Sequence, residues 1–146
     1  TLLESIPGAG FLTAVTIVCE IGDFSVFRCP KKLYSYFGFD PVVRQSGNSA
    51  TADLRMSKRG SPFARRCFYM LALQSVSLRK NGEPKNPVLR AYYQEKCKTK
   101  EKMTALGAII HKLCNIVFAV LRDETPFVLI SPLEHCRKYS SVSQAA

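Results

Sequence analysis

A serine followed by a glycine, Ser46-Gly47, lies in a polar, turn-rich stretch and carries the clearest chemical signal of this sequence. A serine hydroxyl beside a cluster of cations could attack a phosphodiester, because the cations would stabilise the charge that develops at phosphorus. No histidine is close to Ser46 in the chain, so a Ser-His-Asp hydrolase triad is not indicated. The alternative is a surface loop with a solvated basic face. The candidate phosphate contacts around this serine are Arg44, Arg55, Lys58, Arg59, Arg65 and Arg66.

The positive charge of the chain is concentrated in its middle. The 146 residues carry a formal net charge of +10, yet residues 1–27 contain no Lys or Arg. Residues 28–66 contain nine basic residues against two acidic ones, and residues 67–102 contain eight against three. A basic surface of this kind indicates a polyanionic partner, most simply nucleic acid. The hydrophobic share of 47% is typical of a single folded domain with a real core.

The six cysteines predict neither a metal site nor a disulfide framework. They form no C-x-x-C pair, and only two histidines accompany them. We interpret them as reduced core thiols of a cytosolic protein. No signal peptide is visible and no apolar run approaches the roughly 20 residues that span a bilayer, so no membrane partner is expected. The chain starts at Thr1 and enters a structured motif at once, which is typical of an excised part of a longer protein.

Residues 1–22 are similar to the hairpin of helix-hairpin-helix DNA-binding modules. The segment Ile6-Pro7-Gly8-Ala9-Gly10 offers two glycines for a tight turn, and an apolar helical run follows it. Gly8 and Gly10 are therefore candidate nucleic-acid-binding residues, which would contact phosphate through backbone amides and the positive end of the helix. Because no cation accompanies them, a tight connection between two helices is the open alternative.

The other segments predict a mainly α fold, a compact helical domain with an extended loop that carries Ser46. Pro30 begins a short helix, and residues 39–60 form the serine loop, with a hairpin around Gly47-Asn48 as a variant. A helical bundle follows over residues 61–122. Ser61 and Pro62 begin a helix that runs to about Lys80, and Asn86-Pro87 begins the next one. The last helix, from about Lys102 to Arg122, has an apolar seam from Met103 to Val120 that serves as a core stripe or as a dimer contact. The domain is expected to cover residues 1–125, and residues 126–146 to form a weakly ordered tail.

Several of these motifs occur in an order that resembles a known family. The chain resembles the C-terminal domain of transposases of the insertion-sequence one-ten family, which includes the Piv-type DNA invertases. The resemblance covers about residues 1–122. The motifs that carry it are Ile6-Pro7-Gly8-Ala9-Gly10, Glu20-Ile21-Gly22-Asp23, Phe27, Leu33, Tyr36, Gly38-Phe39-Asp40-Pro41, Gln45-Ser46-Gly47 and Ser57-Lys58-Arg59-Gly60-Ser61.

The resemblance implies that Ser46 is the catalytic residue. In the family this serine attacks a DNA phosphodiester and forms a covalent phosphoserine link that conserves bond energy for rejoining. The resemblance also implies an N-terminal RuvC-like domain, whose acidic tetrad would hold Mg²⁺ for the full-length enzyme. Asp40 and Asp53 are too isolated in this sequence to form such a site. No cofactor is therefore expected in this fragment, which should not cleave DNA alone.

The partners follow from the same resemblance. DNA is the expected partner, a structured guide RNA is used by some members, and a homo-oligomer is expected for the full-length protein. The expected location is the cytoplasm or nucleoid of a prokaryote. The alternative function is a non-catalytic module that grips the phosphate backbone of nucleic acid through its hairpin and basic face.

Overall fold

Helices form most of the chain, as the sequence predicts. The computed structural model describes residues 2–42, 45–46, 49–50 and 56–135, with residues 45–46 and 49–50 described by their backbone. Two 3₁₀ helices, Leu2–Ser5 and Phe24–Val26, flank the first α-helix. The other elements are α1 (Phe11–Ile21), α2 (Pro30–Tyr36), β1 (Gln45–Ser46), β2 (Ser49–Ala50), α3 (Pro62–Val76), α4 (Pro87–Cys97) and α5 (Lys102–Asp123).

Helix α5 forms the centre of the domain, where α2, α3 and α4 pack against it. Its apolar residues recur every three or four positions and therefore lie on one face. The seam is buried from Leu106 to Val120, whereas Met103, predicted to belong to it, is 64% exposed. The seam is thus a core stripe of this domain. The buried residues of α5 are Ala105, Leu106, Ile109, Ile110, Leu113, Cys114, Val117, Phe118 and Val120.

Among the described residues, α5 is also the one helix long and apolar enough to cross a membrane. No such segment is predicted from the sequence, because no uninterrupted apolar run approaches the length that spans a bilayer. Half of the most apolar window of α5 is buried inside the domain. Since three other helices cover that buried face, α5 is the core helix of this fold.

The helices begin where capping residues predict. Pro30 and Pro62 occupy the first turns of α2 and α3, and the Ser61 hydroxyl accepts a hydrogen bond from the Ala64 N–H at 3.3 Å. The Asn86 side chain caps α4 in the same way, since its Oδ1 accepts from the Leu89 N–H at 3.0 Å. These contacts span three residues, which is why the sequence alone locates them.

Helix α3 ends at Val76, earlier than the predicted end near Lys80. The chain turns back there, because Leu78 pairs with Pro84 in an antiparallel bridge. The turn passes through Gly82, whose φ of 82° lies in the left-handed region that favours glycine. Hydrogen bonding within this turn therefore replaces the last predicted turn of the helix.

Pro7 and Gly8 pack against the C-terminal end of α3. The Ser75 hydroxyl donates a hydrogen bond to the Pro7 carbonyl at 2.9 Å, and Leu3 and Ile6 are buried in the core. Residues after α5 return to the same region, where the Phe127 N–H donates to the Ser5 hydroxyl at 2.7 Å. A helical turn at 132–135 ends the described chain. The N-terminal motif is therefore tied into the core rather than free.

Candidate nucleic-acid interface

Ser46 lies on an antiparallel hairpin that follows α2 in the chain. Pro41 and Met56 pair at its base, and β1 and β2 pair further along, with Gln45 opposite Ala50 and Ser46 opposite Ser49. Ser46 is therefore the last strand residue before Gly47-Asn48. The hairpin variant of the predicted serine loop is thus the conformation adopted. Arg44, Gly47, Asn48 and Arg55 lie outside the described residues.

Hydrogen bonds between two loop segments fasten the base of this hairpin. The Ser57 hydroxyl donates to the Asp40 carboxylate at 2.7 Å, and the Ser57 N–H donates to the Asp40 carbonyl at 2.8 Å. The Lys58 N–H donates to the Gly38 carbonyl at 3.0 Å. Asp40 is isolated from other acids in the sequence, and only the fold gives it this partner. The two ends of the hairpin are thereby held together.

Two glycines allow the same segments to touch backbone to backbone. A Cβ atom at Gly60 would lie 2.1 Å from the Tyr36 carbonyl oxygen, and one at Gly38 would lie 2.6 Å from the Arg59 nitrogen. Gly38 also has a φ of 70°. No side chain fits at either position. The glycines of the two sequence motifs are therefore explained by one contact between them.

Arg65 holds this contact from the side of α3. Its Nη1 donates hydrogen bonds to the Gly60 carbonyl and, at 3.3 Å, to the Phe37 carbonyl. Charge-assisted bonds of this kind are stronger than neutral ones. Arg65 is partly buried, so its visible role is to position the loop. Its predicted phosphate contact stays a prediction.

The outer side of the loop presents cations. Lys58, Arg59 and Arg66 are exposed, and Lys58 adopts a left-handed φ of 55°, which is uncommon for a residue with a side chain. Such a conformation persists only where its surroundings fix it. Here the Lys58 N–H is bonded to Gly38, so the side chain leaves the loop in a defined direction. The structure thus gathers four predicted contacts, Lys58, Arg59, Arg65 and Arg66, at the N-terminal end of α3.

Gly8 and Gly10 are not part of that group. A Cβ atom on Gly8 would lie 2.9 Å from the Ser75 nitrogen, at the opposite end of α3. Arg65 and Ser75 are about 15 Å apart along this helix, at about 1.5 Å per residue. Gly10 is the exposed N-cap of α1 and has open space around its Cα. Gly8 therefore has a packing role, and any phosphate contact by these glycines would be a separate one.

A cluster of buried aromatic rings packs beneath residues 37–39, which precede the hairpin. Phe37, Phe39 and Phe68 are buried, and the Phe68 ring centroid lies 5.2 Å from that of Phe37 and 5.7 Å from that of Phe39. Tyr34 packs against Phe39 at 5.3 Å. Burial raises the pKa of Tyr34, with smaller effects from Cys114 and Asp40, so its phenol is neutral at physiological pH. The residues before and after the hairpin are thus anchored in the core.

The described residues do not fit a Mg²⁺ site. No three His, Cys, Asp or Glu side chains among them lie close enough together to hold a metal ion. The acidic residue nearest the hairpin base, Asp40, is occupied by the Ser57 hydroxyl. A Mg²⁺ ion would therefore need ligands from outside the described residues.

Sequence reasoning missed two residues that shape this region, Asp40 as a partner of Ser57 and Arg65 as a clamp. Both lie in or beside the motifs quoted above, but their partners are 17 and 28 residues away. The signal that could have found Asp40 is its place directly after Gly38-Phe39, before the extended segment. No local pattern indicates the Arg65 contact.

Comparison with known proteins agrees with the resemblance of the motifs. Residues 1–94 match the family described as Transposase IS116/IS110/IS902. The pilin gene-inverting protein of Moraxella bovis is 35% identical over 127 residues, which are 87% of this chain and 38% of that protein. The transposase for insertion sequence element IS1111A of Coxiella burnetii is 30% identical over 125 residues, 84% of this chain and 33% of the relative. The uncharacterized 43.6 kDa protein of insertion element IS110 from Streptomyces coelicolor is 27% identical over 125 residues, which are 85% of this chain and 29% of that protein. The chain therefore spans between 29% and 38% of the length of these relatives.

Proposed function

This chain belongs to the IS116/IS110/IS902 family of transposases, and from that premise we propose that it supplies the serine nucleophile of a DNA transposase or recombinase. Ser46 attacks a DNA phosphodiester and carries the cleaved strand until it is rejoined. The observation that supports this most is the hairpin itself. Ser46 is the last β1 residue on an arm whose base is held by Asp40, Ser57 and Arg65.

The chemistry is an exchange of phosphate esters. A bond forms between Ser46 Oγ and phosphorus, the bond from phosphorus to one deoxyribose oxygen breaks, and the serine proton ends on that leaving oxygen. Attack by a second deoxyribose hydroxyl reverses these steps and restores the serine. Each step replaces one phosphodiester by another, so no outside energy source is needed. Exposed cations such as Lys58 and Arg59 suit the extra negative charge of the transition state.

The test is covalent trapping with the full-length protein. Wild-type protein stopped with denaturant on end-labelled DNA should give a protein–DNA adduct, and Ser46→Ala should give none. Ser49→Ala is the matched control, because Ser49 is the residue paired with Ser46 across the hairpin. It should keep most of the adduct. An adduct that survives Ser46→Ala, or one lost equally in Ser49→Ala, would refute Ser46 as the nucleophile.

A non-catalytic nucleic-acid-binding module is the second candidate, favoured by the exposed Lys58, Arg59 and Arg66. It would bind DNA without any adduct under conditions in which the full-length protein is folded. Both candidates expect each phosphate contact to release counterions, so Lys58→Ala should reduce the salt slope of duplex binding by about 0.9. If the salt slope of duplex binding is unchanged in Lys58→Ala and Arg59→Ala, these two residues do not contact the phosphate backbone.

We further propose that the full-length protein has an N-terminal RuvC-like domain, which would hold Mg²⁺. A guide RNA and a second copy of the protein would complete the assembly, which would act in the cytoplasm or nucleoid of a prokaryote. Purification of the full-length protein under mild conditions tests these parts together. Co-purifying RNA of one defined sequence would support the guide, and removal of Mg²⁺ should abolish the Ser46 adduct.

A further inference from the structure

The Tyr36 ring stands at the surface of α2 in a fixed orientation. It is 50% exposed, although its neighbours Leu33 and Phe37 are completely buried. The Phe27 ring meets it edge-on at 5.1 Å, and the Phe37 ring does so at 5.5 Å. A ring held by two others loses little freedom when a flat ligand stacks on it. Tyr36 is therefore a prepared stacking surface.

A surface cavity of about 600 Å³ adjoins this ring. Lys32, Ser35 and Tyr36 lie three and four positions apart, which places them on one side of α2. Arg28 lies just before the helix, and Val26 and Phe27 complete the lining. The cavity thus joins an aromatic ring, an apolar floor and two cations.

The charged side chains that line the cavity, Arg28 and Lys32, are both positive. Residues 24–39 contain no Asp or Glu, while Arg28, Lys31 and Lys32 are exposed. In the part of the chain that the structure describes, the side chains of these three residues form no hydrogen bond or ion pair. Cations without partners beside an exposed ring suit a ligand that carries both phosphate and a flat base.

The basic loop lies against the C-terminal end of α2, because Gly60 packs directly on the Tyr36 carbonyl. Arg59 and Lys58 precede Gly60 by one and two residues in the chain.

We propose that this side of α2 binds single-stranded nucleic acid, with an unpaired base stacked on Tyr36 and the flanking phosphates on Arg28 and Lys32. The inference rests on the proposed function for the class of partner, and it adds a strand-selective site that the serine chemistry does not require. A duplex needs only cations, because its bases are already stacked on each other. An exposed ring adds affinity only for a base that is free to stack.

Fluorescence anisotropy of the full-length protein with three labelled 20-mers tests this site: a DNA strand, the RNA strand of the same sequence and the DNA duplex. Tyr36→Leu should weaken binding of a single strand about 5- to 150-fold, the range expected for loss of one stacked base, and change duplex binding less than about twofold. Tyr36→Phe should retain the affinity, since the ring is kept. The difference between the affinities for the RNA strand and the DNA strand shows whether the site prefers ribose or deoxyribose.

The matched control is Tyr92→Leu, because the Lys96 and Lys112 ammonium groups already lie over this α4 ring, 5.3 and 5.6 Å from its centroid. It should leave single-strand binding unchanged. Equal losses in Tyr36→Leu and Tyr92→Leu, equal losses for strand and duplex, or no loss in Tyr36→Leu would each overturn the proposal.

A second pair of variants keeps the test decisive if Tyr36→Leu does not fold. Arg28→Ala and Lys32→Ala change exposed side chains, and each should reduce the salt slope of single-strand binding by about 0.7. Unchanged slopes would overturn the proposal. The Ser46 adduct is measured on the same proteins. If the adduct forms and Tyr36→Leu does not weaken single-strand binding, this site alone is refuted. If no adduct forms, the preference for single strands can still be measured, so the two proposals fail separately.

Discussion

The Ser57 hydroxyl donates a 2.7 Å hydrogen bond to the Asp40 carboxylate and thereby closes the base of the hairpin that carries Ser46. The Ser57 N–H bonds to the carbonyl of the same aspartate, so one residue is held by side chain and backbone together. The Asp40–Ser57 pair thus holds the two ends of the hairpin together at its base.

Removal of the Asp40 carboxylate should loosen the hairpin. Asp40→Ala leaves the partly buried Ser57 hydroxyl without its acceptor, at a cost of about 1–3 kcal/mol in the free energy of unfolding. Urea unfolding measures this cost. Asp40→Asn is the control, because its side-chain oxygen can still accept the bond and about half of the loss or more should be recovered. Equal stabilities of all three proteins would show that the pair contributes nothing.

Gly60→Ala should be among the most damaging single substitutions in this chain. Its methyl group would lie 2.1 Å from the Tyr36 carbonyl oxygen, so the loop must move away from α2. We expect a loss of about 3 kcal/mol or more, the range of severe packing clashes. Gly107→Ala is the matched control: it lies inside α5 with open space at its Cα and should stabilise by about 0.5–1 kcal/mol. Thermal unfolding of the two variants should therefore shift in opposite directions.

Adjacent arginines should separate folding from binding. Arg65→Ala removes two hydrogen bonds to carbonyls and should lower the free energy of unfolding by about 1.5–3 kcal/mol. Arg66→Ala changes an exposed side chain and should alter stability by less than about 0.5 kcal/mol. Chemical denaturation compares the free energies of unfolding of the two variants. DNA affinity is then measured at denaturant concentrations at which both variants are folded. Equal stability of the two variants would contradict the clamp assigned to Arg65.

Thiol labelling should distinguish two of the cysteines. Burial raises the pKa of the Cys114 thiol, so it stays protonated at neutral and moderately alkaline pH, and thiol reagents attack the thiolate. Cys19 is predicted to be a core thiol, but it is exposed on α1 and therefore serves as the control. Mass mapping after iodoacetamide treatment of native protein at about pH 8.5, the usual thiol range, should find Cys19 modified and Cys114 protected. Rapid labelling of Cys114 before unfolding would show that the α5 core opens more readily than its packing implies.

The elements that the sequence predicts well are those whose causes are local. Pro30, Ser61 and Asn86 mark the starts of α2, α3 and α4 because a proline fixes the first turn and a cap bonds three residues ahead. The seam of α5 is visible because its period is a property of one helix. Met103, the first residue of the seam, is exposed although the period predicts burial, because burial also depends on the neighbouring helices.

The amino-acid sequence is sufficient to predict the helical class, the basic middle of the chain, the family and a hairpin as a variant conformation of the serine loop. Which residues meet depends on the tertiary structure. It placed Gly60 on Tyr36 and Arg65 on the Phe37 carbonyl, and it separated Gly8 from the basic loop by most of α3. The physical reason is range: caps and periodicity act over three or four residues, whereas these contacts join segments that chain folding alone brings together. Ser46 is recognisable from its motif, but the support of its hairpin exists only in three dimensions.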